Sequence, residues 1–263
     1  MNGPSPIRTA FNRAHAYDQQ AMIQAQIAEK LALGLAQVPP KEKLYGLELG
    51  CGTGFLSRLW LERLPHTHLL LSDIAPAMVL RTQANLQSYP QNTLKFAVMD
   101  AEAPCLNTAF DLIAASMVFQ WFHHPAASVA NLLNLLAPSG RLLFATLGPD
   151  TFQEWRSLCE NHQIPCGLHH YPGADFWFDL ATKQKMSLEL SEEHIPETYP
   201  STLDFLKRLK AIGAETPAPN HQPAPAGKLR RLLVPPGGIP TPLTVTHHVF
   251  FGTFINHRKT GKP

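Results

Sequence analysis

The sequence predicts a doubly wound α/β protein, with a mostly parallel sheet, helices on both faces and a helical insertion late in the chain. Three observations predict it. Short apolar runs alternate with helical patterns from Leu44 to Leu147, the rhythm of successive βαβ units. Those runs are nearly continuous in apolar residues, as strands covered on both faces are. One strand-to-helix corner, LYGLELGCGTGFLSRLW (Leu44 to Trp60), holds Gly50, Gly52 and Gly54 within five positions. Glycine is costly to order, so such a cluster marks positive φ or close approach of the backbone to a ligand.

The elements follow in order. Residues 14–35 read as a helix, with Ile23, Ile27, Leu31 and Leu35 four apart on one face, and the prolines of VPPKEK end it. LYGLELG is the first strand and 55–64 a helix. THLLLSDIA is the second strand. PAMVLRTQANLQ is a helix with Pro76 near its start, where proline is tolerated. TLKFAVMDAEA and FDLIAASMVFQW are the third and fourth strands. PAASVANLLNLLAPSG reads as a helix closed by Pro138 and Gly140, and RLLFATLG as the fifth strand. After Gly148 the rhythm changes. DTFQEWRSLCENH and DFWFDLATKQKM read as helices, and SLELSEEHIPETY as a strand in its first half. STLDFLKRLKAIGA is an amphipathic helix with Ser201 as N-cap. The proline-rich ETPAPNHQPAPAG is a loop, TPLTVTHHVFFGTFIN a last β-rich segment, and HRKTGKP a frayed tail.

The 263 residues are 44% hydrophobic and 16% charged, enough apolar content for a sizeable core. No run of about 18 apolar residues predicts a membrane span, and the N-terminus has no signal-peptide character. Cys51, Cys105, Cys159 and Cys166 form no CxxC, so the reading is a reduced, cytoplasmic protein. The formal net charge of +2 conceals an asymmetry. From Ser201 onward nine Lys/Arg face only Asp204 and Glu215, a balance of +7, leaving −5 on the rest. A basic C-terminal quarter on an acidic body suits an acidic partner; a solvated basic face is the alternative. Adjacent histidines (His123-His124, His169-His170, His247-His248) point to opposite sides of a strand and chelate poorly, so no metal site is expected.

The glycine corner is not a dinucleotide fingerprint, because the third glycine of G-x-G-x-x-G would fall at Phe55. No Gly-Lys-Ser/Thr follows, which excludes a P-loop. The pattern is G-x-G-x-G, preceded by Glu48. Asp73 closes the second strand 25 positions later, and Asp100 ends the third. In such a sheet these ends share the carboxyl edge, where ligands bind. Three acids there suit a donor-rich ligand such as a ribose, an adenine amino group or an ammonium, and suit a pyrophosphate poorly.

With those residues in place, the chain resembles a class I S-adenosylmethionine-dependent methyltransferase of Rossmann-like fold. LELGCGTG, LLLSDIAPAMVLRTQ, AVMDAEA and FDLIAASMVFQWFHHP resemble that family's successive motifs, over residues 11–147. The resemblance implies S-adenosylmethionine as cofactor and S-adenosylhomocysteine as product. It implies Glu48, Gly50 and Gly52, with Cys51 and Gly54 in the same loop, at the methionine end. It implies Asp73 on the ribose, Ile74 and Met78 beside the adenine, and Asp100 and Ala101 near the adenine edge. Cys51 is then a small residue, not a nucleophile.

Three further segments resemble the malonyl-acyl-carrier-protein O-methyltransferases of biotin synthesis, the BioC type. They are AFNRAHAYDQQAMIQAQIA, SMVFQWFHHPAASVANLLNLLAPSGRLLFATLGPDTFQEW and YPSTLDFLKRLKAIGAETP. The last carries Lys207, Arg208 and Lys210, a basic helix for an acidic acyl carrier protein. The resemblance implies methyl transfer to the free carboxylate of a malonyl thioester. A carboxylate is ionised at neutral pH and needs no general base, so catalysis rests on alignment and exclusion of water. Tyr17, Gln120 and Trp121 are the candidates that position the substrate, with Arg13 as a further one. The expected organisation is one domain: a helical cap (1–40), a cofactor-binding core (41–148), a substrate-side insertion or lid (149–240), a final strand region (241–256) and a tail (257–263). No nucleic acid or membrane is expected as partner. The alternatives are methylation of another small carboxylic acid or phenol, a non-methylating assembly factor or hydroxylase, and a sensor that keeps the same cofactor fold.

Overall fold

The apolar runs of the sequence become the strands of one sheet, and the segments between them become its helices. In the computed structural model, which describes residues 5–14, 17–218, 221–233 and 241–258, the chain opens with α1 (Pro6–Arg13), α2 (Tyr17–Gln20) and α3 (Met22–Leu33). Next come β1 (Leu44–Leu49), α4 (Phe55–Arg63), β2 (Thr67–Asp73), α5 (Pro76–Asn85), β3 (Leu94–Val98), β4 (Phe110–Ser116), α6 (Pro125–Asn134) and β5 (Leu136–Leu147). It continues through α7 (Gln153–Asn161), α8 (Ala174–Gln184), β6 (Ser187–Tyr199), α9 (Thr202–Ala211), α10 (Ala226–Leu233) and β7 (Leu243–Ile255).

The seven strands lie in the order β3-β2-β1-β4-β5-β7-β6. The pairs β3·β2, β2·β1, β1·β4 and β4·β5 are parallel. Asn256 N–H donates to the Gly140 carbonyl (3.0 Å) and Gly148 N–H to the His248 carbonyl (2.8 Å), so β7 runs against β5. The order reverses between β1 and β4. Right-handed crossovers place the helices of the two halves on opposite faces there, and the reversal opens a crevice at the carboxyl ends of the strands. The expected doubly wound, mostly parallel α/β fold is the fold observed.

Two compact units share the chain. The larger comprises Ala21–Thr146, Gly173–Ser191 and Phe250–Pro263; the smaller comprises Met1–Gln20, Leu147–Pro172 and Glu192–Val249. The larger unit is held by an aromatic cluster in which Phe144 stacks near Trp177 (4.8 Å between centroids), Phe119 (5.4 Å) and Phe254 (5.5 Å). The smaller unit has its own core, where Phe152, Trp155 and Tyr199 converge on the fully buried Phe205 of α9.

Several elements differ from expectation. The helix expected over 14–35 is interrupted at Ala21 (φ −92°, ψ 45°), and α3 starts anew after it. The helix expected to close at Pro138 and Gly140 stops at Asn134, and both residues lie in β5. A register shift opposite Phe110 and Leu112, with Ser139 at φ +61°, absorbs the proline as a bulge. The strand expected over half of SLELSEEHIPETY runs its full length, because β6 is the outermost strand and an edge tolerates Pro196. Helix α10 had no capping signal to announce it. Ser201 caps α9 as expected: its hydroxyl accepts the Asp204 N–H at 3.2 Å. Of the expected tail, residues 259–263 lie outside the described residues.

Candidate functional site

The glycine corner sits where β1 ends beside β4. Gly50, Gly52 and Gly54 have φ of +61°, +56° and +94°, a run of left-handed backbone that L side chains adopt only under strain. At Gly50 the constraint is also one of space. A Cβ there would lie 2.5 Å from Cγ2 of Val118, at the end of β4. The loop is tied down on its outer side. The Thr82 hydroxyl of α5 donates to the Gly52 carbonyl (2.8 Å), the Asn85 amide to the Thr53 carbonyl (2.8 Å), and Cys51 N–H to the Ser72 carbonyl (2.9 Å). These bonds leave a rigid loop whose shape is set before any ligand arrives.

Two acids stand at adjacent strand ends. Asp73 closes β2 and its carboxylate accepts the N–H of Gly52 (3.0 Å) and of Ala75 (2.8 Å). Burial raises its pKa, against the backbone hydrogen bonds that hold it down. Glu48, 2% exposed, behaves differently. Its Oε2 is buried and no protein donor reaches it. Burial pushes its pKa up to about 8; Ser57 pulls the other way and the Asp73 charge adds to the rise. The Ser57 hydroxyl is near enough to be felt, yet its geometry falls short of a hydrogen bond. Burial also pushes the Cys51 thiol well above its ordinary value, so that sulfur is inert.

The remaining residues of the carboxyl edge frame this corner. Ile74 is half-buried and Met78, in the first turn of α5, is buried. Asp100 is exposed after β3, where its carboxylate accepts the Glu102 N–H (2.9 Å); Ala101 packs against the larger unit's core. Gln120 is buried. Its amide N–H donates to the Met117 carbonyl (2.9 Å) and its oxygen accepts the Thr146 hydroxyl (3.3 Å). Trp121 follows half-buried. Gln120 thereby fixes the turn after β4, where Met117 adopts φ +60°. The larger unit thus gathers Glu48, Gly50, Cys51, Gly52, Gly54, Asp73, Ile74, Met78, Asp100, Ala101, Gln120 and Trp121 at the ends of four neighbouring strands. Arg13, in the last turn of α1, and Tyr17, at the start of α2, belong to the smaller unit.

Sequence reasoning passed over Val118 and Glu102. Val118 is an ordinary apolar residue until the topology sets it against Gly50. Glu102 accepts the N–H of His123 (2.8 Å) and His124 (3.1 Å) and the Ser128 hydroxyl (3.1 Å), and meets His123 Nδ1 at 2.8 Å. It caps α6 from 21 to 26 residues upstream, a pairing no local pattern reveals.

The fold and this corner define the class: a class I, Rossmann-like methyltransferase. Residues 47–142 match the methyltransferase domain family. The chain is 37% identical over 249 residues, 93% of its length and 90% of the relative's, to a malonyl-[acyl-carrier protein] O-methyltransferase of Magnetococcus marinus. It is 36% identical over 221 residues to a biotin biosynthesis bifunctional protein BioCD of Bordetella avium, covering 84% of this chain and 46% of that one. Among solved structures, the YcgJ protein of Bacillus subtilis shares the fold at a TM-score of 0.63 and 14% identity, over 88% of this chain and 99% of that one. Phosphoethanolamine N-methyltransferase 2 of Haemonchus contortus, solved with S-adenosyl-L-methionine, does so at 0.60 and 12%, over 96% and 60%. The chain belongs to the malonyl-[acyl-carrier protein] O-methyltransferase family.

Proposed function

We propose that this enzyme moves a methyl group from S-adenosylmethionine to the free carboxylate of a malonyl thioester held by an acyl carrier protein, a step of biotin synthesis. One observation carries the cofactor side. Glu48 is a buried acid with an oxygen that no protein donor reaches, beside a loop of left-handed glycines. A buried acceptor without a donor is costly. A cationic, donor-bearing ligand satisfies it and returns the acid to its ionised form. The residues present therefore fit S-adenosylmethionine, with Glu48, Gly50, Cys51, Gly52 and Gly54 toward its methionine end. Asp73 takes the ribose, Ile74 and Met78 flank the adenine, and Asp100 and Ala101 stand at its edge.

When bound, the cofactor supplies an electrophilic methyl on a positively charged sulfur. The substrate carboxylate, already ionised at neutral pH, would accept that methyl, with the bonding electron pair left on sulfur. The products are a methyl ester and a neutral thioether. No proton moves, so the chain needs no base and has to orient and desolvate. Gln120 and Trp121 hold the turn after β4 for this purpose, and Tyr17 and Arg13 act on the substrate's side. The segment 149–240 serves the acceptor; in chain order it follows the cap (1–40) and core (41–148) and precedes the final strand region (241–256).

The carrier protein docks on α9, where Lys207 and Lys210 are exposed. Arg208 turns inward to the Gln20 carbonyl and lies 6.0 Å from the Tyr199 ring, so the two lysines carry the docking charge. All four cysteines are free, which supports a reducing, cytoplasmic setting. Incubation with methyl-labelled S-adenosylmethionine and malonyl-carrier protein tests the reading. Label is expected in a base-labile methyl ester. Cofactor binding without any transfer to malonyl-carrier protein overturns it and favours a sensor or another acceptor.

A further inference from the structure

The smaller unit contains a second cluster of titratable side chains, built by strand register. Thr198 of β6 and Thr244 of β7 meet at 2.9 Å between hydroxyl oxygens. In an antiparallel pair that register sets residue 194 opposite residue 248 on the same face. The rings of His194 and His248 stack accordingly, 4.3 Å between centroids at 18°. Asp150, just beyond β5, reaches the same place. Its Oδ2 lies 3.3 Å from His194 Nε2 and 3.5 Å from His248 Nδ1.

We infer that Asp150, His194 and His248 form a binding site for a divalent cation of the Zn2+, Co2+ or Ni2+ type. The ligand atoms of all three lie within 4.8 Å of one another. Ligands about 2.0–2.1 Å from a tetrahedral ion stand about 3.3–3.4 Å apart, and both Asp–His separations match that edge. The remaining edge, between the imidazoles, closes by rotation of His194, which is 45% exposed. Two imidazoles and one carboxylate select this class of ion over Ca2+ or Mg2+, which take oxygen ligands.

The surroundings suit a ligand histidine. Nε2 of His248 lies 3.1 Å from Glu192 Oε2. Donation there leaves the Nδ1 lone pair facing Asp150, the carboxylate–histidine arrangement that orients metal-bound imidazoles. At present that lone pair accepts the Asp150 N–H at 3.3 Å, a long bond that a cation displaces. His248 is buried while Asp150 and Glu192 are exposed, so one ligand is fixed and the approach is open. Three protein ligands leave a fourth position for water. His247, next along β7, faces the other way, 4.9 Å from the Phe152 ring, and burial pushes its pKa down to about 4. The chelate is therefore made across strands, not by the adjacent pair.

Titration of the full chain with Co2+, followed by its visible absorption, tests the inference. One saturable equivalent is expected, and Zn2+ should raise the melting temperature in proportion to its logarithm. His194→Gln and Asp150→Asn, both at exposed positions, should each weaken binding at least tenfold. Glu192→Gln should weaken it by 10-fold or more through His248. The chain has 13 histidines and four cysteines, so adventitious uptake is the rival. If the Asp150→Asn, His194→Gln double variant binds as many ions as the parent, with the same affinity and spectrum, the inference is overturned.

Discussion

The glycine corner of the larger unit and the basic helix of the smaller one use charge in opposite ways. At the corner, Glu48 is buried with an oxygen that nothing in the protein satisfies. On α9, Arg208 is one of the three cations expected to face an outside partner, yet its guanidinium serves the Gln20 carbonyl and the Tyr199 ring. Lys207 and Lys210, on the same helix, remain in water. A charge kept for a ligand is thus recognised by an unmet requirement, and a charge used in folding by a completed one. Sequence charge alone does not separate the two.

The comparison breaks most sharply at Gly50. Gly50→Ala should force a Cβ against Val118 in a backbone that resists any side chain. The strained conformation alone costs about 1–3 kcal/mol, and cofactor binding should be lost. Thermal melting and calorimetric titration check both. An alanine variant that melts and binds like the parent would show that the loop is not held in this conformation.

Asp73→Ala comes next. It should weaken S-adenosylmethionine by roughly 1–3 kcal/mol, the scale of charge-assisted hydrogen bonds. The structure adds a second expectation: the Gly52 and Ala75 N–H groups lose their acceptor, so ligand-free stability should fall too. Asp73→Asn keeps an acceptor for one of them and should recover part of that stability while cofactor affinity stays low. Equal recovery of both would mean Asp73 acts only on the loop.

Glu48 gives a pH signature. Its pKa rises from an ordinary 4.5 to about 8 on folding. The folded chain therefore holds the extra proton between those values, and ligand-free stability should fall as pH climbs from about 5 to 8. Glu48→Gln should remove that slope and bind cofactor more weakly. Cofactor binding near pH 7 should release a proton, seen as calorimetric heats that vary with buffer ionisation enthalpy. A buffer-independent heat would contradict the proposed cationic partner for this acid.

These tests also mark what was legible beforehand. Glu48, the glycines, Asp73 and Asp100 were readable because each lies at a strand end set by a local apolar run, and the alternation of runs gave the carboxyl edge. The interruption at Ala21 was not readable, because the interrupted pattern is as apolar and alanine-rich as a continuous helix. Pro138 and Gly140 misled for a related reason. They terminate helices in most settings, and only the bulge against β4 lets a strand contain them. The inward turn of Arg208, the cap by Glu102 and the His194–His248 pair all depend on register or on contacts distant in sequence.

The smallest effect on stability, and the most selective on function, is expected at Lys207 and Lys210. Both are exposed on α9, so reversing them to Glu should leave stability within roughly 0.5 kcal/mol of the parent. S-adenosylmethionine binding should not change, since the residues proposed for that site belong to the larger unit. The apparent KM for malonyl-carrier protein should rise, because rim charges govern encounter more than the bound complex. The parent reaction should slow as salt shortens the Debye length from about 30 Å at 0.01 M to about 8 Å at 0.15 M, and the reversed variant should lose that dependence. Arg208→Leu supplies the contrast. It removes a hydrogen bond to Gln20 and should destabilise the smaller unit by about 1–3 kcal/mol without abolishing the salt dependence that the lysines confer. If Arg208→Leu flattens the salt response while the double lysine reversal leaves it intact, the assignments on α9 are reversed: the half-buried cation faces the carrier, and the exposed pair is only a solvated face.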